Sequence, residues 1–339
     1  MPESNKKSVA GITASAGLCS AAVLLLWISE QPRFQGISPI LTAAAAIAFV
    51  LEIIILLLFK GKGAVKRALK ILLLSVINIS VFACAVIYSY SSAIILQPHK
   101  DEESCEKLKE TPFAREITFD GENGKINGWL YNRAGENAPV VLYFYGNYET
   151  ASTRLSHLSE VYASSAFADC NFAVFDYPSY GNSEGKCTDD TLLSFALNVY
   201  DKLSEITDNI IVLGYSVGTG PAVYLAAERD VNALILYAPY ADGTDLYNNI
   251  IDIFYGPLEK LVSFNIDSKE NARAVTEPVL ILASEADELI PFASSMELAE
   301  KFPGNCTFVK TAAITHNQFL SDSFVKEKTA EFIKGVTAK

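Results

Sequence analysis

Apolar residues crowd the first hundred positions of this chain and recur in short, regularly spaced runs behind them. Three long apolar stretches, at about 8–28, 37–59 and 71–95, can each cross a hydrocarbon layer ~30 Å thick, which takes roughly 20 residues of helix. They predict three transmembrane helices in a membrane domain over 1–98. Glu52, alone inside the second stretch, is expected to face another helix or a polar pocket rather than lipid. With Lys6 and Lys7 ahead of it, the first stretch also fits a cleaved signal peptide, yet it closes on Leu26-Trp27-Ile28 without a small-x-small site.

Behind the apolar front, 99–111 is acidic and lysine-bearing and reads as a juxtamembrane linker with little to bury. Residues 116–120, a turn at 121–124 and 125–131 predict a hairpin. Short apolar runs then alternate with amphipathic stretches, the pattern of a mostly parallel sheet covered by helices. Strands are expected at 140–145, 172–176, 210–213, 233–237, 279–283 and 307–311. Helices are expected near 150–164, 189–206, 217–229, 293–302 and 318–335. A small insertion at 241–268 breaks the alternation, where Tyr247, Ile250, Phe254, Leu258 and Phe264 accumulate. Ordinary helix packing explains it, and so does a lid over an apolar substrate pocket.

Basic residues beside the apolar stretches set an orientation. Lys6 and Lys7 precede the first, and Lys60, Lys62, Lys66, Arg67 and Lys70 crowd the loop between the second and third, against Arg33 alone in the other loop. The expectation is a multi-pass cell-membrane protein with a cytoplasmic N-terminus, its helices in contact with membrane lipids and everything past about residue 98 outside the cytoplasm. Residues 1–100 carry nine Lys/Arg against three Asp/Glu, whereas 101–339 carry 18 against 36. A domain this acidic repels nucleic acid and anionic lipid surfaces, which excludes both as partners. Cys19 and Cys84 fall in apolar stretches, and Cys105, Cys170, Cys187 and Cys306 in the soluble part. One or two disulfides are open to these four in an oxidising space, but without Cys-x-x-Cys or metal-ligand spacing, buried free thiols are the simpler expectation.

The chemistry is carried by Gly214-Tyr215-Ser216-Val217-Gly218, which follows an apolar run and precedes a small-residue helix. Strand, Gly-x-Ser-x-Gly turn and helix together describe a nucleophile elbow, in which the glycines let strand and helix approach while the serine stands above the sheet. Five residues alone would equally make a structural turn. A serine hydroxyl attacks poorly until a base takes its proton and a carboxylate orients that base. The chain has only His99 at the membrane exit, His157 in the helix ahead of the elbow strand, and His316 in the loop after the last strand. His316 is the base of choice, because that loop can return over the sheet edge. Asp287, after the penultimate strand and flanked by the competitors Glu285 and Glu288, completes the order Ser, Asp, His. Backbone donors for the tetrahedral oxyanion are expected from Val217 and from Asn147 or Tyr148.

With these motifs, residues 112–339 resemble the alpha/beta-hydrolase superfamily, and more closely its membrane-anchored alpha/beta-hydrolase-domain proteins and the serine aminopeptidase-like group. Tyr145-Gly146-Asn147 is similar to the His-Gly-Asn oxyanion loop, 176–185 to the Asp-Tyr-x-Gly-Tyr-Gly-x-Ser-x-Gly loop, and 214–218 to the elbow. Ser284-x-x-Asp287-x-x-Ile290-Pro291 resembles the Gly-x-x-Asp-x-x-Val-Pro acid motif. Tyr145, Ser284 and Thr315 stand where a histidine and two glycines are usual. The resemblance implies an alpha/beta-hydrolase fold and a membrane-tethered serine hydrolase, without metal or organic cofactor, that cleaves an ester, thioester or amide through an acyl-enzyme on Ser216. Its substrate would be a small molecule, an acyl lipid or a peptide, with esterase or lipase chemistry the leading expectation. An aminopeptidase-like serine peptidase, an inactive extracytoplasmic binding or scaffold module, and a cytosolic deacylase in reversed topology are the alternatives. Oligomeric state leaves no mark on the sequence.

Overall fold

The computed structural model describes residues 50–51, 54–55, 63–161 and 167–338. The expected helices at 8–28 and 37–59, with Glu52 and Cys19, lie outside the described residues, apart from the helical positions 50–51 and 54–55. Contacts divide the chain into two compact units, Met1–Ser91 with Tyr255–Ser263, and Ser92–Phe254 with Phe264–Lys339.

The first unit contains most of helix α1, Ala64–Ile95. Its Ala64–Cys84 portion is long and apolar enough to cross a membrane, and of its residues only Leu74 is buried. The helix starts seven residues before the expected 71, so Lys66, Arg67 and Lys70 lie in its first turns rather than in a loop. Lysine, arginine and alanine are strong helix formers, and the helix extends through the basic segment that charge alone assigned to a connection. Within the same unit, Ser91 Oγ accepts from the Ser263 amide at 2.8 Å and lies 2.9 Å from its hydroxyl.

The second unit departs from the sequence expectation at its start. The segment expected to be a linker with little to bury forms helix α2, Glu102–Lys109, capped by the Asp101 side chain, and it buries Cys105 and Leu108. Two apolar residues are too few to mark a composition, but at i and i+3 they share one helix face.

Strands β1 (Ala114–Gly121) and β2 (Gly124–Tyr131) form the expected antiparallel hairpin, with Ala114 opposite Tyr131 and Gly121 opposite Gly124. β3 (Val140–Phe144), β4 (Asn171–Phe175), β5 (Ile210–Tyr215), β6 (Ala233–Tyr237) and β7 (Val279–Ser284) are buried at every residue, which is why they read as unbroken apolar runs. β8 (Cys306–Thr311) closes one edge and is half-exposed. The order is β1-β2-β4-β3-β5-β6-β7-β8, with β2 antiparallel to β4 and every later pair parallel.

Helices α3 (Ala151–Val161), α4 (Asp189–Ser204) and α5 (Thr219–Glu228) follow β3, β4 and β5. The chain leaves β3 for β4 on one side and later lays β5 on the other, so a crevice opens beyond the carboxyl ends of β3 and β5, where open α/β sheets hold their ligands. The insertion carries α6 (Gly243–Asn248), a short 3₁₀ turn (Gly256–Leu261) and α7 (Ser268–Ala272). Tyr247, Phe254 and Phe264 are buried there, whereas Ile250, Ile251 and Ile253 are exposed. Helix α8 (Phe292–Ala299) follows β7 and α9 (Ser323–Thr337) ends the domain.

Cys84, Cys105, Cys170, Cys187 and Cys306 are free. Burial pushes the Cys170 and Cys306 thiols up to about 12, so they remain protonated and unreactive near neutral pH.

Asp176, just past β4, ties α3 to the loop that follows β4. It is buried and accepts from the Ala151 amide at 2.8 Å and the Asn182 amide at 3.1 Å. Burial, only partly opposed by these bonds, raises its carboxyl to about 6. A folded-state value above that of the unfolded chain makes the folded state hold a proton that the unfolded state releases between about pH 4 and 6. Stability contributed by this group is therefore present at low pH and falls as pH rises through that window. Chemical denaturation of the detergent-solubilised full chain should show this fall flattened in Asp176→Asn. Asp176→Ala, which strips two buried amides of their acceptor, should lose about 2–4 kcal/mol.

Candidate active site

At the end of β5 the backbone turns sharply, and Ser216 sits at φ +54°, in the left-handed region that a residue with a side chain occupies at a cost of about 1–2 kcal/mol. A 3₁₀ turn, Ser216–Gly218, leads directly into α5. Its glycines are required by space. A Cβ on Gly214 would lie 2.8 Å from Ala222 Cβ and from Thr219 Cα, and one on Gly218 would collide with the carbonyl oxygens of Phe144 and Tyr145. Thr219 Oγ1 donates to the Ser216 carbonyl at 2.6 Å and closes the turn.

His316, distant in sequence, comes back over the sheet edge with Nε2 2.8 Å from Ser216 Oγ. Its Nδ1 lies 2.8 Å from Asp287 Oδ2 and 3.0 Å from Oδ1. Both side chains are almost completely buried. Asp287 is held by the turn after β7, where Oδ1 accepts from the Leu289 amide at 2.9 Å and the Ile290 amide at 2.8 Å. Ser284, in place of the usual glycine, accepts from the Ala286 amide at 3.1 Å and helps form this turn. The competing acids are engaged elsewhere: Glu285 pairs with Lys310 at 2.6 Å, and Glu288 accepts from the His316 backbone amide at 3.2 Å.

Tyr215 is a residue that sequence reasoning passed over. Its hydroxyl donates to the His316 carbonyl at 2.9 Å, and its ring stacks on the imidazole at 5.2 Å and 27°. Its place beside Ser216 in the elbow was the available signal, but its contact with His316 exists only in the folded chain.

The loop after β3 adjoins the elbow closely enough that a Cβ on Gly146 would lie 3.0 Å from the Tyr215 ring and 3.6 Å from Ser216 Cβ. Tyr145, where a histidine is usual, is fully buried. Its hydroxyl accepts from the Tyr177 amide at 3.1 Å, its carbonyl accepts from the Tyr177 hydroxyl at 2.6 Å, and the two rings stack at 4.3 Å. Asn147 Oδ1 accepts from the Gln97 amide at 2.9 Å, the Tyr148 amide at 2.9 Å and the Tyr180 hydroxyl at 3.3 Å. Of the two candidate amides in this loop, that of Tyr148 is therefore directed to its neighbour's side chain. Val217 stands in the first turn of the helical segment, where amides lack an intrahelical acceptor. Of the other histidines, His99 stacks on Tyr148 at 4.9 Å and His157 is exposed on α3.

A cavity of about 440 Å³ is lined by Ser216, His316, Asn147, Tyr215, Arg154 and Leu289, among others, and by no described residue of 241–268. The insertion therefore gives no support to a lid reading at this cavity. Among the described residues, no group of three or more His, Cys, Asp or Glu side chains is placed to hold a metal ion. The arrangement can move a proton from a hydroxyl to an imidazole whose far nitrogen faces a carboxylate.

The model of the Dienelactone hydrolase family matches residues 178–312, a span that includes Ser216 and Asp287 and ends before His316. The chain is 28% identical over 179 residues to Alpha/beta hydrolase domain-containing protein 17B of Homo sapiens, covering 51% of this chain and 58% of that one. It is 28% identical over 195 residues to Lysophosphatidylserine lipase ABHD12 of Rattus norvegicus, covering 52% and 48%. It thus spans about half the length of these two relatives. The Pyrococcus furiosus esterase Pf2001 superimposes with a TM-score of 0.56 at 19% identity, covering 71% of this chain and 98% of that structure, a likeness of fold.

Gly218→Ala should lower the melting temperature of the full chain in detergent, with a loss of about 1–3 kcal/mol, because backbone rather than a flexible side chain must give way. Gly335→Ala is the control for general glycine effects, since nothing lies within 4 Å of the added methyl and the backbone there is helical.

Proposed function

Since the chain belongs to the alpha/beta-hydrolase superfamily, we propose that it is a membrane-tethered serine hydrolase that cleaves an ester, thioester or amide through an acyl-enzyme on Ser216. The observation that carries this reading is the hydrogen-bonded chain from Ser216 through His316 to Asp287, 2.8 Å at each link. Asp287 faces Nδ1, so that nitrogen carries the proton and Nε2 is left to accept from the serine hydroxyl. As Oγ attacks the carbonyl carbon, His316 takes its proton. The carbonyl oxygen becomes an oxyanion, and we assign the amides of Val217 and Asn147 as the donors that meet it. His316 then protonates the leaving group, and the same imidazole activates the water that hydrolyses the acyl-enzyme. Tyr215 and Asp287 keep the ring in register throughout.

Ester chemistry is preferred to aminopeptidase chemistry for a reason inside the cavity. A peptidase that reads a free amino terminus needs an available carboxylate, and Glu149, which lines the cavity, is already paired with Arg154. The strained conformation of Ser216 argues against a pure binding module, which would gain nothing from it. Tethering is supported by α1 and by the sequence pattern of three apolar stretches, and basic residues at the N-terminus and second loop favour a hydrolase domain outside the cytoplasm.

Hydrolysis of short-chain acyl esters by the full chain in detergent should fall about 10⁴-fold in kcat for Asp287→Asn, with little change in KM. An unchanged rate would remove Asp287 from the mechanism. In sealed, right-side-out vesicles, added protease should digest 112–339; protection of that region would reverse the topology.

A further inference from the structure

The mechanism leaves unused the one guanidinium among the described residues that line the cavity beside Ser216. Arg154, in the first turns of α3, has a side chain only 9% exposed, and yet it lines the same 440 Å³ space as Ser216, His316 and Asn147. Its Nε donates to Glu149 Oε2 at 3.0 Å and its Nη2 pairs with Glu149 Oε1. A guanidinium has five N–H donors in a rigid plane, and Glu149 engages two of them on one edge. The opposite edge, with both hydrogens of Nη1, has no partner described for it. A buried cation with idle donors is costly unless something polar meets them. Glu149 also holds the plane in one orientation, so little side-chain freedom is left to lose on binding. His157, three residues further on the same helix, lines the cavity too and is exposed.

We infer that the free edge of Arg154 is a subsite for an anionic group, a carboxylate or phosphate, on the substrate whose carbonyl Ser216 attacks, with His157 as a second donor at the rim. This rests on the hydrolase reading above and adds to it a substrate class: esters that carry a negative charge within one cavity's reach of the scissile bond. The domain as a whole is strongly acidic and repels such molecules at long range, so recognition has to come from a close, directional donor. Arg154 offers one. A plain anchoring role, in which the Arg154–Glu149 pair only fixes the loop after β3 to α3, would give no preference for charge.

The test uses the full chain in detergent with two esters of similar length, p-nitrophenyl butyrate and mono-p-nitrophenyl glutarate. Wild-type kcat/KM should favour the anionic ester by roughly ten- to hundredfold, the worth of one charge-assisted contact. In Arg154→Gln that ratio should collapse toward one, and Arg154→Lys should restore part of it. Protection of Ser216 from a fluorophosphonate probe by glutarate or by phenyl phosphate, but not by glutaramide, gives a readout independent of turnover and separates carboxylate from phosphate. A wild-type ratio near one with no protection by either anion would overturn the subsite. So would a loss in both variants that is equal for the two esters. Failure of the wild type to react with the probe or hydrolyse either ester would instead overturn the hydrolase reading itself.

Discussion

The crevice depends on one close approach, the Gly218 backbone lying against the carbonyl oxygens of Phe144 and Tyr145. It brings the start of α5 onto the end of β3, and nothing larger than a hydrogen fits at that point. Once this contact is made, the loop after β3 must run beside Ser216, and the nucleophile and Asn147 border a common space. The strain at Ser216 is sustained because β5 on one side and α5 on the other are both packed in the core, so the turn between them cannot relax. Parallel pairing of β5 with β3 and β6 fixes the height of the elbow above the sheet.

The remaining parts of the site come from the far half of the chain and are held by independent anchors. Asp287 is fixed by two amides of its own turn before it meets His316. His316 is fixed through its amide by Glu288, through its carbonyl by Tyr215 and through its ring by stacking on Tyr215. The imidazole is therefore positioned by contacts that do not involve the serine. Preorganisation of this kind lets a proton move without a large rearrangement of its surroundings.

What could be read in advance follows the range of the interactions. The buried strands were legible because each is an apolar run five or six residues long, and the elbow because glycine spacing is a local demand of the turn. Ser216, His316 and Asp287 were legible as candidates because each ends a strand-to-loop connection, although no spacing rule could state that they meet. Helix α2 was hidden by its polar composition, with only Cys105 and Leu108 to show its inner face. The start of α9 at Ser323 rather than 318 had a readable signal in Asp322, whose side chain caps the Phe324 and Val325 amides. The antiparallel pairing of β2 with β4, the stacking of Tyr215 on His316, and the pairing of Arg154 with Glu149 are tertiary contacts that no local pattern encodes.

The central claim is that Ser216 is activated by its neighbours, and intact-mass measurement of the full chain after exposure to a fluorophosphonate tests it most directly. The account predicts a single added phosphonyl group on the wild-type chain, mapped to the peptide containing Ser216 and absent from Ser216→Ala, with much slower addition to His316→Ala. A folded wild-type chain that stays unmodified, or one modified equally in Ser216→Ala, would contradict it.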